Sequence, residues 1–200
     1  MSTNRVEAFS DGVFAVAITL LVLDLRAPLT SGSLIGALAD EWPEFAAFLI
    51  SFMFIGVVWV NHHAIFHRLA RVDRPLLFFN LFLLLAIVVI PFVTSLFALY
   101  VAHADSQASV AAALFNCALL MMAVGFQLCT VWIDYHPALL KGRGAPRSIA
   151  EQLRFATGVF AYVACLPLSF IVNPILVLAI DGAVGAFYIA DQVSLRNSAG

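Results

Sequence analysis

Charge is the scarcest property of this 200-residue chain: Asp, Glu, Lys and Arg make up 11% of it. A soluble domain carries about 25%. That scarcity excludes intrinsic disorder and coiled coils, which depend on charged and polar sequence. The net charge is −2 and no polybasic run occurs, so nucleic acid is not an expected partner. Cysteine is scarce as well. Cys117, Cys129 and Cys165 all lie in apolar stretches. An odd number placed there excludes a secreted disulfide scaffold and leaves small packing residues.

Several functional signatures are also missing. There is no TVGYG-type filter loop, and no helix carries arginines at every third position. These absences exclude the usual potassium filter and a voltage sensor. No glycine-rich phosphate loop and no carboxylate pair with catalytic spacing appears. No enzyme activity and no cofactor is expected.

What is abundant is apolar residues, at 63% of the chain, with a mean hydropathy of +1.01. Soluble domains average roughly 45–50%, and a chain this short has too little interior to hide the excess. The expected class is all-α: a polytopic integral membrane protein forming a single domain over residues 1–200.

A helix needs about 20 mostly apolar residues to cross a bilayer. Six stretches qualify: Arg5–Leu25, Glu44–Asn61 with a possible continuation past His63, Pro75–Val101, Val110–Trp132, Ile149–Val172 and Pro174–Ala190. The last two should form a tight hairpin, with only Val172 and Asn173 between them and with Pro167 and Pro174 flanking the turn. The first stretch reads as a retained span rather than a signal peptide. Glu7 and Asp11 precede its apolar run, and no small-residue cleavage site follows Asp24. Leu34, Ile35, Leu38 and Trp42 suit a short interfacial helix in the first loop. Trp42, Trp59 and Trp132 fall near predicted span ends, where indoles favour the headgroup layer.

Loop charge sets the orientation. One side holds Arg5, Arg68, Arg71, Arg74, Lys141, Arg143, Arg147 and Arg196; the other holds Arg26 with Asp40, Glu41 and Asp105. Both termini are therefore expected in the cytoplasm.

Ionisable residues in a membrane helix each cost about 2.5–3.5 kcal/mol near its centre, so each calls for an account. The densest set, Arg5, Glu7, Ser10 and Asp11, opens the first helix. On a 100° wheel Arg5, Phe9, Gly12, Val16, Thr19 and Leu23 form one stripe, while Ser10 and Asp11 point away from it. Two readings fit that stripe. One is ordinary helix packing, which Gly and Thr favour. The other is a pore lining, with apolar rings and a hydroxyl ring, which a single copy cannot complete. Asp11 is expected in an interhelical network with Asn80 or the His62/His63 pair. Asp181 stands alone in the sixth span. His63 and His67 share a helix face suited to a metal. His103 and His136 stand apart, and no metal site is expected.

The string Arg5-Val-Glu-Ala-Phe9-Ser10-Asp11, heading an apolar helix, resembles the first-helix signature of the lysosomal potassium channel family, transmembrane protein 175, in its prokaryotic form. Trp59 followed by His62-His63, and Asn80 opening the third span, support the resemblance. The likeness covers the whole chain in architecture, but the specific motif is confined to the first helix. It implies a homotetramer of six-helix units in the cell (plasma) membrane, partnered by lipid and passing potassium ions. It also implies a pore lined by the first helix, with constriction and selectivity at positions corresponding to Val16, Thr19, Leu20 and Leu23. Arg5, Phe9, Ser10, Asp11, Trp59, His62, His63 and Asn80 would form the surrounding packing network. Val16 is smaller than the Ile or Leu expected at the narrowest ring. The rival expectation is a proton-coupled secondary transporter using Asp11 or Asp181.

Overall fold

The computed structural model describes residues 3–23, 25, 33–102, 107–142 and 149–198, except the side chains of 102, 149–155 and 189–198. Asp24, Arg26, His103, Asp105, Arg143 and Arg147 lie outside the described residues, as does the Arg196 side chain.

Seven α-helices account for most of the described chain: α1 Thr3–Leu23, α2 Leu34–Asp40, α3 Trp42–His67, α4 Arg74–Ala102, α5 Ala108–Tyr135, α6 Ile149–Leu168 and α7 Pro174–Ser198. A 3₁₀ turn, Pro137–Leu139, follows α5. No strand longer than an isolated bridge occurs among the described residues. Four helices, α1, α3, α4 and α5, are long and apolar enough to cross a membrane. The described apolar segments of α6 and α7, Ala156–Leu168 and Pro174–Tyr188, are shorter.

Helix ends follow local chemistry. Ser33 caps α2, its hydroxyl accepting from the Gly36 N–H at 3.4 Å. A short helix forms here, as expected from Leu34, Ile35 and Leu38, whereas Trp42 opens α3 instead. Asp73 opens α4, its carboxylate accepting the Leu76 N–H at 3.1 Å. Such a side chain satisfies one of the orphan donors of a first turn. Helix α3 continues through His62 and His63 to His67. Helix α6 ends four residues before the expected Val172. Pro167 sits in its last turn, and the chain tightens through Phe170 N–H to Pro167 C=O and Ile171 N–H to Leu168 C=O. The hairpin therefore turns over Ser169–Asn173 rather than over Val172 and Asn173 alone.

Helix α1 lies against α3 and α4, α4 runs along α5, and α6 and α7 pack on α5 and α3. One apolar core spans these layers, from Phe14 of α1 through Ile55, Leu83, Ile87 and Phe115 to Leu178 of α7. A second cluster gathers Val6, Phe66, Leu69, Leu76 and Ile133. There the α3–α4 connection is stitched to the segment after α5. Leu69 bridges Leu140, Ala70 N–H donates to Leu139 C=O at 2.8 Å, and Lys141 N–H donates to Arg68 C=O at 2.9 Å. The start of α1 and these two basic connections thus share one end of the bundle.

At Gly125 the backbones of α4 and α5 approach closely. A Cβ at Gly125 would stand 2.9 Å from the Leu83 Cα. The obstacle is backbone, so side-chain rearrangement cannot relieve it. Gly125→Ala is expected to push the helices apart at a cost of about 1–3 kcal/mol, as overpacking does. A fall of several degrees in the melting temperature in detergent measures it, and an unchanged transition would show that the crossing yields freely.

Candidate pore helix and its polar network

Burial divides α1 into two faces. Val6, Ser10, Phe14, Ala17 and Leu21, spaced by three or four residues, are buried against α3 and α4. The opposite face is uncovered: Phe9 is 56% exposed, Val16 58%, Leu20 40% and Leu23 75%. Arg5, Gly12 and Thr19 are exposed on it as well. A Cβ at Gly12 would meet nothing within 4 Å, so close packing inside this chain does not explain that glycine. The stripe drawn on the helical wheel lies within the face that a single copy leaves uncovered, which also takes in Ala8, Ala15 and Val22. Leu20, at the stripe's edge, belongs to it.

The Thr19 hydroxyl donates to the Val16 carbonyl at 2.8 Å. Its one hydrogen is thereby engaged within the helix, and what remains available on the hydroxyl is oxygen lone pair. Such an oxygen is suited to contact a cation.

The buried face is held by a hydrogen-bond chain across three helices. Asn80 Nδ2 donates to Ser10 Oγ at 3.0 Å, and Asn80 Oδ1 lies 2.8 Å from His62 Nε2. Ser10, Asn80 and His62 are all buried. Because Asn80 presents its carbonyl oxygen, His62 carries its proton on Nε2 and donates. The His62 ring stacks on Phe66 at 4.1 Å between centroids and leans on Phe14 at 5.4 Å. Packing and hydrogen bonding together fix its orientation.

Asp11 does not join this chain. Its Oδ1 accepts from the Trp59 indole at 2.9 Å, so its partner is Trp59 rather than Asn80 or the His62/His63 pair. His63 is exposed, tilted against Trp59 and stacked on His67 at 5.9 Å. No group of three His, Cys, Asp or Glu suited to a metal gathers among the described residues. His136 stacks on Trp132 at 3.9 Å.

Sequence reasoning missed two partners. Trp132 donates its indole N–H to both Asp73 carboxylate oxygens, at 3.2 and 3.1 Å, so it is a tie between α5 and α4 rather than only a headgroup anchor. Asp73 just before Arg74-Pro75 is the usual sequence sign of a helix start. Its second role needs a residue 59 positions away. Asp181, expected alone, receives Asn116 Nδ2 at 3.3 Å.

These features define a multi-helix membrane protein whose first helix is pinned on one side and uncovered on the other. The family model of the endosomal/lysosomal potassium channel TMEM175 matches residues 5–91, from the head of α1 into α4. A potassium channel of Streptomyces collinus is 41% identical over 194 residues, covering 96% of this chain and 93% of its own. One of Chamaesiphon minutus is 40% identical over 178 residues, covering 84% of this chain and 85% of its own. The crystal structure of a lysosomal potassium-selective channel TMEM175 homolog from Chamaesiphon minutus matches with a TM-score of 0.80 and 35% identity, covering 94% of this chain and 97% of that one. The chain belongs to the TMEM175 channel family and is not an enzyme.

Asn80→Leu keeps the approximate side-chain size but strands the His62 N–H and the Ser10 oxygen. Each unsatisfied buried group costs about 1–3 kcal/mol. A substantial loss of thermal stability is expected, partly recovered in the double variant with His62→Phe. Full additivity of the two substitutions would break the coupling.

Proposed function

We propose that the protein is a potassium-selective channel, a homotetramer in the plasma membrane with four copies of α1 around a central pore. The observation that carries this reading is the uncovered column of Val16, Thr19, Leu20 and Leu23 on a helix whose other face is fixed. Lipid would cover an apolar face equally well. What favours an axis is the company the chain keeps: relatives along nearly its whole length are potassium channels. A single helix encloses nothing, so the column needs copies of itself.

In this arrangement α6 and α7 supply the fifth and sixth crossings. At 20 residues, α6 is about 30 Å long, the thickness of a hydrocarbon core. The start of α1 and the basic connections after α3 and α5 lie at the same end, which the loop-charge rule places in the cytoplasm, with both termini. Residues 1–200 act as one domain, without cofactor.

The column runs about 10 Å from Val16 to Leu23. Rings of Val16, Leu20 and Leu23 make a narrow apolar zone that an ion crosses only after shedding water. The Thr19 oxygens replace part of the lost shell, since their hydrogens are held by the Val16 carbonyls. Potassium gives up its water more readily than sodium, so this zone passes potassium better. Arg5 and Phe9 head the column. Ser10, Asp11, Trp59, His62, His63 and Asn80 support it from behind.

The test is ion flux from liposomes holding the purified protein, with potassium and sodium compared. Potassium flux well above sodium is expected. Thr19→Val removes the oxygen at nearly constant volume. A hydrogen-bond-scale loss of about 1 kcal/mol predicts a roughly fivefold change in the permeability ratio. An unchanged ratio would remove Thr19 from the filter. Val16→Leu narrows the first ring and should lower single-channel conductance in bilayer recordings. An unchanged conductance would move the constriction elsewhere.

A further inference from the structure

Asp181 sits in α7 with 0% of its surface exposed, on the half of the bundle away from the uncovered face of α1. Its surroundings are unusual for a carboxylate. Asn116 of α5, equally buried, donates Nδ2 to Asp181 Oδ2 at 3.3 Å and to its own-helix Ala112 carbonyl at 3.1 Å. The Ala112 bond fixes which end of the amide is nitrogen. The Asn116 Oδ1 and the Asp181 Oδ1 are then both buried with no hydrogen-bond partner. No basic side chain among the described residues bonds the carboxyl.

Among the described residues, every other group facing it is neutral. Tyr162 faces it from α6, and the Cys165 thiol of the same helix lies within hydrogen-bonding reach of the carboxyl while leaving Oδ1 without a partner. On α5 the facing group is the Asn116 amide. From α3, Ile50 and Phe54 pack on Gly182 and Gly185, the next glycines of α7, and are apolar. On α7 itself the nearest titratable side chain described is Tyr188.

The two orphan atoms are both acceptors, and they belong to residues already in contact. A metal cation would need several more oxygens than these two side chains offer. A single hydrogen answers the deficit: it cancels the buried charge and supplies the donor that both oxygens lack. We propose that Asp181 is a proton-binding site. The carboxyl takes a proton from the aqueous phase on Oδ1 and is carried as the neutral acid. Its Oδ1–H closes a reciprocal acid–amide pair with Asn116. The pair joins α7 to α5 and holds the C-terminal hairpin on the bundle. The proton stays off the α1 column, so it secures the fold rather than moving with the permeant ion.

Asp181→Asn tests this directly, because a second amide reproduces the reciprocal pair without a proton. For a group that holds its proton more tightly folded than unfolded, stability is complete at low pH and declines as pH rises. The wild-type melting temperature in detergent should therefore fall by at least about 4 °C between roughly pH 5 and pH 9, while Asp181→Asn should lose most of that dependence. Potassium flux through Asp181→Asn at neutral pH should match the wild type. Infrared spectra of the wild type at pH 7 should contain a protonated-carboxyl C=O band that the variant lacks. If the variant fails to fold, the wild-type spectrum alone decides, since absence of that band overturns the proposal. A wild-type melting temperature that rises with sodium or potassium, with the rise lost in Asp181→Asn, would place a metal cation there and also overturn it.

Discussion

The hydrogen-bond chain Ser10–Asn80–His62 sets the rotation of α1, and the rest of the channel depends on that rotation. In a bilayer core no water rescues an unpaired polar group, so a buried serine must turn to its partner. Successive residues of an α-helix are 100° apart. Thr19 lies nine residues beyond Ser10, about half a turn away around the axis. Once Ser10 faces Asn80, Thr19 must face outward, with Val16 and Leu23 within about 60° of it. The inner contact thereby aims the outer column. Phe14, Ala17 and Leu21 add apolar burial on the same side as Ser10 and reinforce the choice.

Around this chain, two tryptophan–carboxylate ties join neighbouring helices. Trp59 holds Asp11 from α3, and Trp132 holds Asp73 from α5. Asp73 sits at the start of α4 and Asp11 a little over two turns into α1, and both indoles belong to helices that terminate at the same end of the bundle. The Leu69–Leu140 bridge and the Lys141 Nζ bond to the His67 carbonyl at 2.7 Å close that end further. Arg68, Arg71 and Lys141, counted among the basic residues for orientation, thus stand on a tied platform. The same geometry places His62 and His63 differently although they adjoin in sequence: one is the buried bond to Asn80, and the other is an exposed ring between Trp59 and His67.

The two halves of the molecule solve the polar problem in different ways. Near α1, hydroxyl, amide and imidazole bond one another across helices, with the His62 Nδ1 left buried without a partner. Between α3 and α4, Ser51 donates to Thr94, whose own hydrogen goes to the Ile90 carbonyl at 2.7 Å. Ile90 directly precedes Pro91, a residue that lacks the N–H its position in α4 would otherwise contribute. Beyond α5 the Asp181–Asn116 pair is short of one donor. Close packing also differs. Gly125 brings the α4 and α5 backbones together, whereas Gly158 leaves room for the Tyr188 hydroxyl, which accepts the Gly158 N–H at 2.6 Å.

By itself the sequence determined the membrane class, the helical architecture and the stripe on the first helix. Each follows from composition or from a 100° period within one segment, and both are local quantities. It also separated Ser10 and Asp11 from that stripe. It could not choose their partners, because Asp11 with Trp59 and Ser10 with Asn80 join residues 48 and 70 positions apart. Several helix-compatible pairings offer equivalent donors. Only the crossing of α1, α3 and α4 selects one. The second duty of Asp73, the contact of Gly125 with Leu83 and the company of Asp181 were hidden for the same reason. Each depends on which faces of separate helices meet, and side-chain spacing along one helix carries no record of its neighbour's rotation.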